Sequence, residues 1–144
     1  MSAPRARAKG GVLAIDHGTK RTGFAVSDAL RLGVFALEPF HGDGGGTELV
    51  EYVARLCDER AIATFLVGFP YDATGGEGGR ARDVRAFTER LGARFPGTEV
   101  VLYDERLTTR MAAASRRGGA AAAEDSLAAA HLLDSWLLAA EARR

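Results

Sequence analysis

Gly11-Val12-Leu13-Ala14-Ile15-Asp16-His17-Gly18-Thr19-Lys20-Arg21-Thr22-Gly23-Phe24-Ala25-Val26-Ser27-Asp28 reads as two short strands hinged on a polar turn, and the fold follows from how little chain separates them. The apolar run from Gly11 stops at Asp16, and His17-Gly18-Thr19-Lys20 supplies the turn before a second strand-like run over 21–28. A link of four or so residues cannot make a parallel crossover, which needs a dozen or more, so the two runs pair as an antiparallel hairpin. A third run over 33–38 follows after a similarly short link and adds a third antiparallel strand. His41 to Gly46 is glycine-rich, has neither strand nor helix pattern, and reads as a flexible connection.

The pattern changes after residue 46. Thr47 to Arg60 places Leu49, Val50, Val53, Leu56 and Cys57 on one helical face, with Thr47 as a candidate cap. Ile62 to Gly68 is continuously apolar, as a strand buried on both faces should be, and ends in Gly68-Phe69-Pro70 and a glycine-rich loop to Gly79. Arg80 to Phe95 repeats the amphipathic helix with Val84, Phe87, Leu91 and Phe95 inward; Pro96-Gly97 stops it before a fifth strand over 99–103. Strands alternating with helices imply right-handed crossovers and parallel pairing. The expected fold class is therefore α/β: a five-stranded mixed sheet, three strands antiparallel and two parallel, flanked by helices.

The last third reads as helical. Arg106 to Arg116 is alanine-rich, Gly118-Gly119 interrupts it, and Glu124 to Ala140 forms the longest helix, with Ala129, Leu132, Leu133, Trp136 and Ala140 on one face. Asp125, four residues before Ala129, is turned toward the sheet by the same rotation that buries that face. An inward carboxylate in a first helical turn suits the dipole but needs a cation or an arginine to answer it.

At 144 residues the chain suffices for one core, and residues 1–9, with Pro4 and three basic residues but no apolar period, read as a flexible tail ahead of a single domain over 10–144. The 47% hydrophobic and 26% charged residues are an ordinary globular balance, and no apolar stretch reaches the roughly 20 residues that span a bilayer. The lone Cys57 cannot form an intramolecular disulfide, so a reducing, cytoplasmic setting with no membrane partner is expected. A net charge of zero argues mildly against a nucleic-acid partner, because such domains are often basic. However, all but two of the 19 basic residues are arginine, and Lys20, Arg21, Arg80, Arg106, Arg116 and Arg117 lie beside acidic motifs.

Three acids far apart in sequence stand at element ends: Asp16 and Glu105 after strands, Asp125 at a helix start. Such positions can converge, and hard divalent cations are held by one or two carboxylates plus phosphate oxygens. The plainer reading is that each is a turn or cap residue. Between the neighbours Asp104 and Glu105, strand alternation turns only one toward Asp16, and Glu105 is the expected one.

Asp16-His17-Gly18-Thr19-Lys20-Arg21-Thr22-Gly23-Phe24-Ala25-Val26-Ser27-Asp28 resembles the opening signature of the YqgF/RuvX family, the bacterial pre-16S rRNA nucleases and Holliday junction resolvases. Val67-Gly68-Phe69-Pro70 with Gly75, Gly78 and the helix to Phe87 is similar to its second block. Asp104-Glu105-Arg106-Leu107-Thr108-Thr109 is similar to its third, and Asp125-Ser126-Leu127-Ala128-Ala129-Ala130 to its fourth. Four blocks in order cover nearly the whole chain. The resemblance implies a ribonuclease H-like fold and a nuclease with catalytic, metal-holding carboxylates at Asp16, Glu105 and Asp125 and two Mg²⁺ or Mn²⁺ ions. Gly18, Lys20, Arg21, Arg80 and Arg106 are the candidate substrate contacts: Gly18 serves either close phosphate approach or the turn itself, and Arg106 either orients the carboxylate or meets the phosphate. His17 departs from the family's usual aromatic or aliphatic residue and is read as a packing substitute. The basic segment common in the family is reduced here to Arg116-Arg117.

The implied substrate is the 5′ end of pre-16S rRNA in ribosome biogenesis, with ribosomal components as candidate partners; the alternative is a four-way DNA junction, whose two-fold symmetry requires a homodimer where rRNA trimming needs only a monomer. A non-catalytic RNA-binding assembly factor is a more remote reading. The opening motif also resembles the phosphate loop of actin-like ATPases, but no second half or second Asp-x-Gly loop occurs.

Overall fold

The computed structural model describes residues 10–108 and 126–142; the expected tail, the Gly118-Gly119 break, Asp125 and most of the helix expected from Arg106 lie outside the described residues. The elements are β1 (Gly11–Asp16), β2 (Arg21–Ser27), β3 (Val34–His41), α1 (Thr47–Asp58), β4 (Ile62–Phe69), α2 (Gly79–Arg94), β5 (Glu99–Asp104), a 3-10 turn (Glu105–Leu107) and α3 (Leu127–Ala142). One five-stranded sheet has the order β3-β2-β1-β4-β5. β1 pairs antiparallel with β2, and β2 with β3, while β4 runs parallel to both β1 and β5. This is the mixed sheet that the link lengths imply.

Alternation along β1 sorts the core into two layers. Leu13 and Ile15 join Phe24, Phe65, Val67 and Phe69 beneath Leu49 and Val53 of α1 and Val84, Phe87 and Leu91 of α2. Val12 and Ala14 face the other way, with Ala25 and Leu66, against Ala129, Ala130, Leu132 and Leu133 of α3. Four alanines in this second layer leave little side-chain bulk between helix and sheet. Trp136 lies at the margin of that layer, and the Arg31 guanidinium stands over its ring 5.6 Å from the centroid.

Several local expectations are corrected. β3 extends to His41, and the segment read as a flexible connection is bonded to the first hairpin: Gly42 N donates to Lys20 O at 2.9 Å and Gly44 N to Thr19 O at 2.8 Å. Glycines that could have meant freedom instead allow close backbone packing. Thr47 is not a cap; it is the first residue of α1, Gly46 holds the cap position, and no side chain bonds there. Glu105 lies beyond the strand, in the 3-10 turn.

The β2–β3 ladder shifts register between Thr22 and Phe24, paired with Phe40 and Leu37 respectively. The bulge leaves two backbone groups that Ser126 satisfies. Its fully buried hydroxyl accepts from Phe24 N at 3.0 Å and donates to Leu37 O at 2.7 Å, fixing the approach to α3 beside β2.

Candidate active site

Asp16 is the last residue of β1, and by alternation its side chain shares the α3 face with Val12 and Ala14. Its strand partner is Gly23. Burial pushes its carboxyl above the ordinary carboxylate range, against the opposing pull of Arg80, His17 and Arg21.

Glu105 approaches from two strands away. β4 lies between β1 and β5, and Gly68, opposite Tyr103 of β5, occupies the position that would otherwise carry a side chain between the two acids. A Cβ placed on Gly68 would meet the Glu105 Oε2 at 2.8 Å, its Cγ at 3.0 Å and its Cδ at 3.3 Å. Gly68 and Leu66 share a face, the face of Asp16, so the Glu105 side chain lies over β4 on that side. Burial, and after it the Asp16 charge, raises the Glu105 pKa, with Arg80 opposing.

Asp104 does something else. It caps the 3-10 turn, accepting from Arg106 N at 2.9 Å, and its carboxylate pairs with the Arg106 guanidinium through Nη2 at 2.8 Å and Nε at 3.0 Å. The separation of roles comes from this cap and ion pair, since Glu105 lies outside the strand whose alternation was expected to separate them. The expected result is that Glu105→Gln loses cleavage by more than about 100-fold, beyond what loss of a supporting contact around a metal usually costs. Asp104→Asn should keep most activity and lower the melting temperature slightly. Single-turnover rates on one oligonucleotide decide it, and the reverse ranking would exchange the two roles.

Arg106 is committed inside the protein as well: its Nη1 donates to Asp72 O at 3.4 Å and its guanidinium lies over the Tyr71 ring. Asp72 in turn accepts from Thr74 N and Gly76 N, and Tyr71 bridges to Glu77, so the glycine-rich loop after β4 is braced. Arg80, on the first turn of α2, is exposed and donates to His17 O at 2.6 Å; it is the cation that acts on both Asp16 and Glu105. Lys20 and Arg21 are exposed in the β1–β2 hairpin.

His17 packs on the other face. Its ring lies 4.7 Å from that of Phe87, and Nε2 is 2.8 Å from Gly44 O. Gly18 is required by the turn, because a Cβ there would overlap the Arg21 carbonyl oxygen. A cavity of about 320 Å³ opens beside His17, lined also by Asp43, Gly44, Asp83 and Arg90. It is on the α2 side of the sheet, the opposite face from Asp16. Among the described residues no group of three His, Cys, Asp or Glu side chains is placed to hold a metal, and the third expected acid, Asp125, lies outside them.

Sequence reasoning passed over Gly68, Gly44 and Ser126. A glycine closing an otherwise bulky buried strand was the available sign for Gly68, since such a glycine often marks close approach of another group.

A family model described as "RuvX: Holliday junction resolvase" matches residues 10–139. The chain belongs to the RuvX family. A "Putative pre-16S rRNA nuclease" of Acetivibrio thermocellus is 31% identical over 132 residues, covering 88% of this chain and 94% of the relative. A protein of the same description from Halalkalibacterium halodurans is 36% identical over 101 residues, covering 69% and 71%. Among solved structures, Thermus thermophilus RuvC in complex with Holliday junction substrate superposes with a TM-score of 0.61 at 14% identity, covering 90% of this chain and 95% of RuvC. That likeness establishes the ribonuclease H-like fold, and membership of the RuvX family makes the enzyme class that of a nuclease. Among the described residues no helix is long and apolar enough to cross a membrane.

Proposed function

We propose that this RuvX-family chain is a single nuclease domain over 10–144 that hydrolyses phosphodiester bonds at the 5′ end of pre-16S rRNA, with Asp16, Glu105 and Asp125 as its catalytic, metal-holding acids. The observation that carries the reading is the approach of the Glu105 carboxylate across Gly68 on the face of Asp16, with both carboxyls desolvated. Two half-buried like charges are costly unless a cation joins them. The donors are carboxylate oxygens, and the adjacent imidazole of His17 is turned to the other face, which suits Mg²⁺ or Mn²⁺. Ser126, pinned to β2 one residue from the Gly23 partner of Asp16, supports Asp125 as the third acid, because Asp125 is its chain neighbour.

One or two such ions, when bound, would supply Lewis acidity and a water made nucleophilic at neutral pH. The chain's own residues do the rest. Asp16 and Glu105 fix the place of reaction at the carboxyl ends of parallel strands, where open α/β sheets receive ligands. Arg80 carries positive charge beside both acids and is exposed to an approaching phosphate, while Lys20 and Arg21 offer backbone contacts from the hairpin. Arg106 keeps the turn that bears Glu105 tied to the loop after β4.

Millimolar Mg²⁺ or Mn²⁺ should raise the melting temperature: at ten times its Kd a ligand adds about 1.4 kcal/mol. No shift at millimolar concentrations would count against the converging acids. The deciding experiment is parallel cleavage of a precursor rRNA 5′ segment and a synthetic four-way DNA junction, with EDTA as control. Junction resolution is the second reading, favoured by the description of the matching family; it would show as paired cuts in the junction by a sedimenting dimer, with the RNA intact. Cytoplasmic location and contacts with ribosomal components belong to the rRNA reading.

A further inference from the structure

We propose that Gly68 is a positioning residue for the nuclease reaction: its missing side chain is the seat across which Glu105 reaches Asp16. The proposal rests on the nuclease reading and adds to it a residue with no functional group. Adjacent strands lie about 4.8 Å apart, so an acid arriving from the end of β5 must cross the full width of β4 to share a ligand with the end of β1. The register β4–β5 puts Gly68 opposite Tyr103, one residue before the strand's last pair, Phe69 with Asp104, and Glu105 follows at once in the 3-10 turn. The three heavy atoms nearest a hypothetical Gly68 Cβ all belong to the Glu105 side chain. No backbone atom is nearer than these, and the φ of Gly68 does not fall in the left-handed region, so neither turn geometry nor strain calls for glycine here. The space a side chain would enter is met first by Glu105.

Two features of the sequence become connected. Phe65, Leu66, Val67 and Phe69 make this end of β4 bulky and buried, yet position 68 gives up its side chain there, where glycine costs entropy relative to alanine. The acid that uses the space is a glutamate; an aspartate at 105 would retract its carboxyl by one carbon–carbon bond, back over β4. Alanine at 68 displaces the flexible end of Glu105, not the backbone, so the sheet tolerates the change while the carboxylate leaves its place.

The test uses the full chain with Gly68→Ala, Glu105→Ala and the double variant, and Gly92→Ala as a control whose Cβ meets nothing within 4 Å. Mn²⁺ affinity is measured without substrate, alongside kcat and KM on one oligonucleotide and a metal-free crystal structure of Gly68→Ala. Expected are an intact fold with the Glu105 carboxylate swung off β4, Mn²⁺ binding weakened about tenfold, kcat down about 100-fold and KM unchanged, with Gly92→Ala like wild type. In the Glu105→Ala background, Gly68→Ala should not weaken Mn²⁺ binding further, because its effect passes through that carboxylate. Glu105 in its original place in the variant crystal, equal Mn²⁺ affinity of Gly68→Ala and wild type, or the same loss in both backgrounds would overturn the proposal. A wild-type chain that neither binds Mn²⁺ nor cuts would instead sink the nuclease reading, and the crystal structure would still decide whether Gly68 seats Glu105. If Gly68→Ala does not fold, the strand rather than the acid needs glycine, and the proposal fails.

Discussion

Asp16→Asn should cut no substrate at a rate within about 100-fold of wild type, and the metal-free variant should be more stable than wild type at neutral pH. Both effects come from one charge. Burial raises the Asp16 pKa, so the folded chain holds its proton at pH values where the unfolded chain has already lost it. Where the folded state binds more protons, stability falls as pH rises, beginning near the ordinary carboxylate value and ending above the raised folded one. The loss persists at higher pH. Glu105, raised by burial and by Asp16, adds a decline of the same sign. Asparagine keeps the size but has no charge to desolvate, so its profile should be flatter. Denaturant unfolding in EDTA from pH 4 to 8 measures the difference, and cleavage of one oligonucleotide measures the loss. A wild-type profile no steeper than that of Asp16→Asn, or retained cleavage, would remove Asp16 from the site.

Gly44→Ala should damage the fold more than alanine at Gly45, Gly68 or Gly92. A Cβ on Gly44 would overlap the Gly18 carbonyl oxygen and stand 2.9 Å from His17 Nε2. The obstacle is backbone, so the loop must separate from the β1–β2 turn. Separation breaks the bond from Gly44 N to Thr19 O and those that His17 and Arg90 make to Gly44 O. Forced overpacking of this kind costs about 1–3 kcal/mol, which for a domain of this size is on the order of 5–10 °C in melting temperature. Cleavage should fall with it, since His17 and Gly18 continue directly from Asp16. Gly45→Ala is the control in the same loop: its nearest neighbour is Asp43 Oδ1 at 3.5 Å, ordinary contact, and it should change little. Equal melting temperatures for the two variants would mean that the loop does not brace the turn.

The sheet was legible because its signals are local: short links force antiparallel pairing, apolar runs between helices force parallel pairing, and both survive whatever packs above them. Asp16 was legible as an acid at a strand end, and Glu105, read the same way, lies just beyond one. The bonds of residues 42–46 to the hairpin were not legible, because backbone donors carry no side-chain signature, and the same glycines serve a loose loop and a tight one. Gly46 in place of Thr47 at the α1 cap is a one-residue matter that propensity cannot settle. Gly68 and Ser126 depend on partners 37 and 102 residues away, Glu105 for the first and Phe24 for the second, and that distance is created only by the fold. His17 was read as packing, and its contacts are with Phe87 and Gly44.

Of the three described helices, α3 is the last to leave the ribosome, and it covers the face on which Asp16 opens. Until α3 docks, Val12, Ala14, Ala25 and Leu66 form a bare apolar floor and the bulge between β2 and β3 lacks the Ser126 hydroxyl. A half-made chain therefore has its central strands but one uncovered apolar face. The second layer of the core closes only when α3 docks. The interval before it is also when the exposed floor most needs a chaperone.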